Sequence, residues 1–108
     1  MTDHATFLQT LQALPKFWEF DNWYLDNENY DILAPYYTGI LPFNRLPESF
    51  QLAALVDYFD SKGVYINTNR GYTGNWWADI DPQDDSAGFT SSRPDAIRAG
   101  ILKAITLI

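Results

Sequence analysis

Apolar residues recur along this chain at two different spacings, and the alternation between them constrains the fold more than any other feature. Steps of three or four residues place side chains on one face of a helix, and they occur near the start, in the middle and at the end of the chain. Alternate positions share one face of a strand, and they are apolar or aromatic in the segments between. The pattern predicts three amphipathic helices separated by two pairs of strands.

The first two predicted helices have recognisable ends. Thr2 or Asp3 is expected to cap the first, and Pro15 to stop it. Asn44 is expected to cap the second, with Pro47 in its first turn, and Gly63 follows its end, where a left-handed conformation is common. Their apolar faces are Phe7, Leu8, Leu11 and Leu14 in the first helix, and Leu52, Leu55, Val56 and Phe59 in the second.

The third predicted helix is the most clearly marked. Ser92 and Asp95 have the spacing of a capping box, and Pro94 lies in the first turn. A continuous apolar stripe follows to the last residue, formed by Ile97, Ile101, Ala104, Ile105 and Ile108. This helix is expected to dock along its whole length.

The first predicted strand pair lies between the first two helices. Lys16–Asp26 is aromatic and alternating, which predicts a strand with Trp18 and Phe20 on one face. A polar turn at 26–29 leads to a returning strand over Tyr30–Leu33. The segment Pro35–Phe43 is then expected to be an ordered loop packed on the body of the protein.

The second predicted pair is Val64–Thr68 and Asn75–Asp81, joined by a short loop and therefore antiparallel. In the returning strand, alternation places Trp76, Ala78 and Ile80 on one face and Trp77, Asp79 and Asp81 on the other. Pro82–Thr90 is read as a polar loop. The prediction is one α+β domain over residues 1–108, a small antiparallel sheet of about four strands packed by three helices in the order α-β-β-α-β-β-α.

Several of these features resemble the small phage and prophage proteins of the "ABA sandwich" family. The resemblance runs from Pro42-Phe43 before a helix, through Trp76-Trp77-Ala78 in a strand and an acidic loop, to a final helix with Pro94, Ala96, Ile97, Ala99, Leu102 and Ala104. Phe17-Trp18 also lies where such proteins place an aromatic strand. The resemblance implies helices outside a small antiparallel sheet and a phage or prophage origin; it implies no reaction.

Composition argues against several classes of function. Fourteen acidic residues against seven Lys and Arg leave a net charge of −7, which opposes binding to nucleic acid or an anionic membrane. There is no Cys, and His4, expected to be a solvated residue at the start of the chain, is the only His. The sequence therefore predicts a protein with no enzymatic activity, no cofactor and no metal. Without a basic leader or a long apolar run, it is expected in the cytoplasm.

Aromatic and acidic residues form the candidate binding site. Aromatic residues make up 17 % of the chain, more than a core of this size needs, and spare aromatic residues often mark binding surfaces. Acidic residues are concentrated before position 36 and between positions 79 and 95. The predicted partner-binding residues are Trp77, Asp79, Asp81, Asp84, Asp85, Tyr36, Tyr37 and Tyr72.

Three functions remain open from the sequence. The first is an inhibitor that blocks a basic, nucleic-acid-binding host protein, such as a component of CRISPR or another defence system, by electrostatic complementarity. The second is a protein that sequesters a nucleotide signal, stacking a base on Trp77 or Tyr72 and meeting a phosphate with Arg70, for which a homo-oligomer would be needed to gather cations. The third is a structural accessory domain without a ligand site.

Overall fold

The computed structural model describes residues 3–26, 42–82 and 85–108. The described part is an α+β structure with four α-helices, one short 3-10 helix and a three-stranded antiparallel sheet, so the predicted class is confirmed. The elements are α1 (His4–Gln12), α2 (Phe17–Asp26), a 3-10 helix (Phe43–Arg45), α3 (Glu48–Ser61), β1 (Tyr65–Arg70), β2 (Trp76–Asp81), β3 (Asp85–Thr90) and α4 (Arg93–Ala104).

The sheet has the order β1-β2-β3, and α4 packs across one of its faces. Ile66 lies opposite Ile80 and Thr68 opposite Ala78, as the predicted antiparallel hairpin requires. The helix comes so close that a Cβ at Gly100 would lie 2.8 Å from Ile66 Cγ2 and 2.9 Å from the Ala78 Cβ. A glycine is therefore needed where α4 crosses the sheet, because any side chain there would push the two layers apart.

The segment predicted as the first strand is the helix α2. Its buried residues, Phe17, Phe20 and Tyr24, are spaced at helical steps, and Trp18, predicted to share a strand face with Phe20, is 61 % exposed. The Phe20 ring lies 5.0 Å from the ring of Phe43 and 5.5 Å from the ring of Tyr58. This aromatic packing against α3 outweighs the weak strand preference of aromatic residues, which depends strongly on context.

Other boundaries in the first half differ from the predictions or lie outside the described residues. The predicted strand Tyr30–Leu33 and the loop from Pro35 to residue 41 fall outside the described ranges. Asn44 is not a helix cap, because it lies in the 3-10 helix and its Oδ1 accepts a hydrogen bond from Gln12 Nε2 at 2.7 Å. Helix α3 begins at Glu48, and Pro47 is its N-cap residue.

The segment predicted as the polar loop Pro82–Thr90 contains the strand β3. Ala87 lies opposite Ala78 and Ser86 opposite Asp79, with an irregular register near Trp76. The sequence of β3 has little of the apolar alternation that marks a strand. The segment is a strand because the free edge of β2 supplies backbone hydrogen-bond partners, a tertiary cause that the local pattern does not contain.

Several predicted helix ends are confirmed by their hydrogen bonds. The Asp3 side chain accepts from the backbone N–H of Thr6, and the Ser92 side chain accepts from that of Asp95. Gly63, just past α3, has a φ of +74°, in the left-handed region that favours glycine. These ends were predictable because each depends on residues only a few positions apart.

Replacing Ser92 with alanine is expected to lower the free energy of unfolding by about 1 kcal/mol, because the N–H of Asp95 loses its acceptor at 3.2 Å. Urea denaturation of the variant measures the change. The matched control is Ser91→Ala, an exposed serine one residue earlier that does not cap α4. Equal losses of stability in the two variants would contradict the assignment of Ser92 as the cap.

Candidate functional site

The face of the sheet opposite α4 brings together three of the predicted site residues. Helix α4 packs on the side of Ile66, Ala78 and Ile80, so alternation turns the intervening residues the other way. We call this second side the open face. Its residues in the described part of the chain, each exposed or half-buried, are Tyr65, Asn67, Asn69, Trp77, Asp79, Asp81 and Ser86.

Two carboxylates on the open face are held by neighbouring amides. Asn69 Nδ2 donates to Asp79 Oδ2 at 2.6 Å, and Asn67 Nδ2 donates to Asp81 Oδ2 at 3.1 Å. Each asparagine lies diagonally across the β1–β2 ladder from its aspartate. An amide orients a carboxylate without neutralising it, and none of the described residues on the open face is Lys or Arg, so neither charge is neutralised by a cation among them.

The two predicted aromatic residues at this end have different environments. Trp77 is half-buried, and its ring packs against the hairpin backbone, since a Cβ at Gly71 would lie 3.1 Å from Trp77 Cζ3. Tyr72, at the tip of the β1–β2 hairpin, is fully exposed. The open face is therefore an acidic strip with a half-buried indole along it and an exposed phenol at the adjoining turn.

The remaining predicted residues are not gathered on this face. The guanidinium of Arg70 lies 5.9 Å from the ring of Trp76, which alternation places on the opposite side of β2 from Trp77. Asp85 Oδ2 lies 3.4 Å from Lys103 Nζ of α4, so it belongs to the covered side of the sheet. Asp84, Tyr36 and Tyr37 lie outside the described residues.

His4 is buried, contrary to the prediction of a solvated residue. It is 8 % exposed and shares a helical face of α1 with Phe7 and Leu11, a spacing that could have revealed its burial. Its Nδ1 accepts from Arg98 Nε at 3.1 Å, so Nε2 carries the proton and donates to Gln51 Oε1 at 2.5 Å. Both ring nitrogens are therefore engaged within the fold.

Arg98 links His4 to two carboxylates. Its Nη1 donates to Asp95 Oδ1 at 3.0 Å, and its Nη2 lies 3.7 Å from Glu48 Oε2. Gln51 in turn donates from Nε2 to the carbonyl of Phe43 at 2.9 Å. We call this set the His4 cluster: His4, Glu48, Gln51, Asp95 and Arg98. It joins α1, α3 and α4 through side chains distant in sequence, which is why the sequence pattern did not reveal it.

Asp3 lies next to this cluster in an adjoining pocket. The backbone N–H of Thr6, and then the Thr6 hydroxyl, hold the pKa of Asp3 below its ordinary value. Both hydrogen bonds are 2.9 Å long, and both favour the ionised carboxylate. Asp3 is therefore a fixed negative charge near the N-terminal ends of α1 and α4.

Residues 3–26, 42–82 and 85–108 contain no group of three or more His, Cys, Asp or Glu side chains placed to hold a metal ion. None of the helices within those ranges is both long and apolar enough to cross a membrane.

A scan against protein-family models and searches of curated proteins and of solved structures found no match. The resemblance to the ABA sandwich family stays a prediction.

Proposed function

We propose that this protein is a non-enzymatic binding protein that docks a basic protein partner on its open face. The observation that carries the proposal is the pair Asp79 and Asp81, held by neutral amides on a strip with no Lys or Arg. Such a strip attracts a positive surface over several ångströms and repels an acidic one, which speeds the correct encounter and excludes wrong partners. The fully exposed Tyr72 offers an aromatic contact beside it.

The partner class that fits this surface best is a nucleic-acid-binding protein, because such proteins carry basic grooves for phosphates. In the proposed complex, the carboxylates spaced along β2 bind in the partner's basic groove, in the place of nucleic-acid phosphates. With the resemblance to phage proteins, the proposal becomes a phage or prophage inhibitor that blocks a host defence protein in the bacterial cytoplasm. The net charge of −7 supports the same partner class.

The engagement of His4 supports a role without catalysis. A general base needs an imidazole nitrogen free to accept a proton from a bound substrate. In this fold one nitrogen accepts from Arg98 and the other donates to Gln51. In the nucleotide-sequestering alternative, Trp77 and Arg70 of one chain would not act together, because they lie on opposite sides of the sheet, which leaves Tyr72 as the aromatic residue for that role.

The double variant Asp79→Asn with Asp81→Asn is expected to bind the partner about tenfold more weakly at low salt, because two surface charge pairs are lost at up to about 1 kcal/mol each. It is also expected to flatten the dependence of affinity on salt. Native mass spectrometry of the tagged protein, purified gently from bacterial cells, identifies the retained partner and its stoichiometry. Titration of that purified partner at several salt concentrations then measures both effects.

The control variant is Asp21→Asn with Asp60→Asn, which changes the net charge equally at exposed positions on α2 and α3. It is expected to retain most of the affinity for the partner, because salt screens charges that lie farther from the contact than about a Debye length. If both double variants weaken partner binding equally, the affinity depends on the net charge of the protein and not on the position of Asp79 and Asp81. A retained partner with an acidic surface would overturn the proposal.

A further inference from the structure

A groove between α3 and α4 lies on a different part of the molecule from the open face. Its volume is about 460 Å³, within the range of ligand sites. Its walls are the apolar side chains of Leu52, Ala53, Val56, Pro94 and Ile97. Apolar residues lining an open groove between two helices are typical of surfaces that accept the apolar face of a peptide.

The charges around this groove are predominantly negative. Glu48 and Asp57 lie along it, and it shares Glu48 and Arg98 with a neighbouring pocket of about 420 Å³ that is also lined by Asp3 and Asp95. Among the described residues, four carboxylates and one guanidinium therefore line the groove and the neighbouring pocket. Arg98 is already engaged with His4 and Asp95.

The negative potential along α3 is visible in a neighbouring group. Burial, and then the negative charge of Asp57, raise the pKa of Asp60 above its ordinary value. The smaller of these two causes is the negative charge that Asp57 contributes to this side of α3.

The Asp95 carboxylate supplies a second, independent observation. Its residue is 6 % exposed, and one oxygen, Oδ1, accepts from Arg98. The other oxygen, Oδ2, is buried and has no hydrogen-bond partner among the residues that the structure describes. A buried carboxylate oxygen without a donor is costly, so the Asp95 carboxylate leaves negative charge only partly compensated beside the pocket that it lines.

We propose that this groove binds a basic peptide segment of a protein partner. An aliphatic side chain of the segment lies between α3 and α4, against Leu52, Val56 and Ile97. A neighbouring Arg or Lys of the same segment reaches the pocket and donates to the exposed Glu48, close to the buried charge of Asp95. An acidic peptide is excluded by the surrounding carboxylates, and a metal ion by the absence, in the described part of the chain, of three ligating side chains placed together.

The test uses a fluorescein-labelled amphipathic peptide of about twelve residues, with leucines at helical spacing and flanking arginines. Three matched peptides replace the leucines with serine, the arginines with glutamate, or both. Fluorescence anisotropy against the full chain is expected to show the leucine–arginine peptide binding at least tenfold more tightly than the other three. Arginine amide alone is expected to bind far more weakly than this peptide.

Protein variants locate the binding. Ala53→Arg fills the groove with a positive side chain and is expected to weaken peptide binding at least tenfold. Glu48→Gln removes an exposed carboxylate from the end of the groove and is expected to weaken peptide binding about threefold. Both positions lie on the accessible side of α3, and thermal unfolding confirms that each variant is folded.

The double variant Asp79→Asn with Asp81→Asn on the open face is the control, and it is expected to leave peptide binding unchanged. This control separates peptide binding at the groove from partner binding at the open face, because either kind of binding can be lost while the other is retained. No binding of the leucine–arginine peptide at concentrations on the order of 1 mM would overturn the proposal. Binding that Ala53→Arg leaves unchanged, or arginine amide binding as tightly as the peptide, would overturn it as well.

Discussion

Replacing Phe20 with alanine is expected to lower the free energy of unfolding by about 3–5 kcal/mol, the usual cost of removing a buried aromatic ring. Phe20 is 1 % exposed, and its ring lies among those of Phe17, Phe43 and Tyr58 at centroid distances of 5.5, 5.0 and 5.5 Å. Alanine would leave a cavity where α2, the 3-10 helix and α3 meet. Urea denaturation followed by circular dichroism measures the loss.

The matched control is Trp18→Ala, two positions earlier in α2. Trp18 is 61 % exposed, so its truncation is expected to change the free energy of unfolding by about 0.5 kcal/mol or less. The pair distinguishes the helix from the strand that the alternating pattern predicted, because a strand would place both residues on one face. Comparable losses in the two variants would contradict the helical assignment of α2.

Replacing Arg98 with methionine is expected to destabilise the protein by about 3–5 kcal/mol, because it removes one partner of a buried ion pair. The Asp95 carboxylate would then be buried with neither oxygen bonded to a donor, and His4 Nδ1 would lose the hydrogen bond at 3.1 Å. The apolar stem of methionine keeps much of the packing, so the loss reports mainly on the polar contacts. Urea denaturation of the variant measures it.

Two comparisons sharpen this experiment. Arg93→Met, at an exposed position of the same helix whose Nε donates to Thr68 Oγ1, is expected to cost about 1 kcal/mol or less. Arg98→Met combined with Asp95→Leu is expected to recover much of the stability, since no buried charge is then left unpaired. If Arg98→Met costs no more than Arg93→Met, the His4 cluster contributes little to the fold.

The His4 cluster also explains why the two proposed surfaces can be tested separately. The cluster joins α1, α3 and α4 and therefore supports the groove between α3 and α4. The open face depends instead on the β1–β2 ladder and on the amides of Asn67 and Asn69. Substitutions on either surface leave the other one's supporting contacts intact, so loss of binding can be assigned to one of them.

Part of the candidate site could be predicted from alternation alone. The pattern places Trp77, Asp79 and Asp81 on one side of a strand, and the structure agrees. The same rule puts Arg70 on the other side once its pairing with Trp76 is known, but that register depends on where the hairpin turns. Which side of the sheet α4 covers depends on where that helix docks, and strand periodicity does not predict this.

Local sequence determined the features whose physical causes lie within a few residues. The caps of α1 and α4, the glycine after α3 and the antiparallel hairpin of β1 and β2 follow from short-range hydrogen bonds, backbone preference and loop length. Only tertiary structure decided that Lys16–Asp26 contains a helix, that Asp85–Thr90 is a strand and that both ring nitrogens of His4 are hydrogen-bonded. Each of these depends on a partner distant in the chain: the rings of Phe43 and Tyr58, the free edge of β2, and the side chains of Gln51 and Arg98.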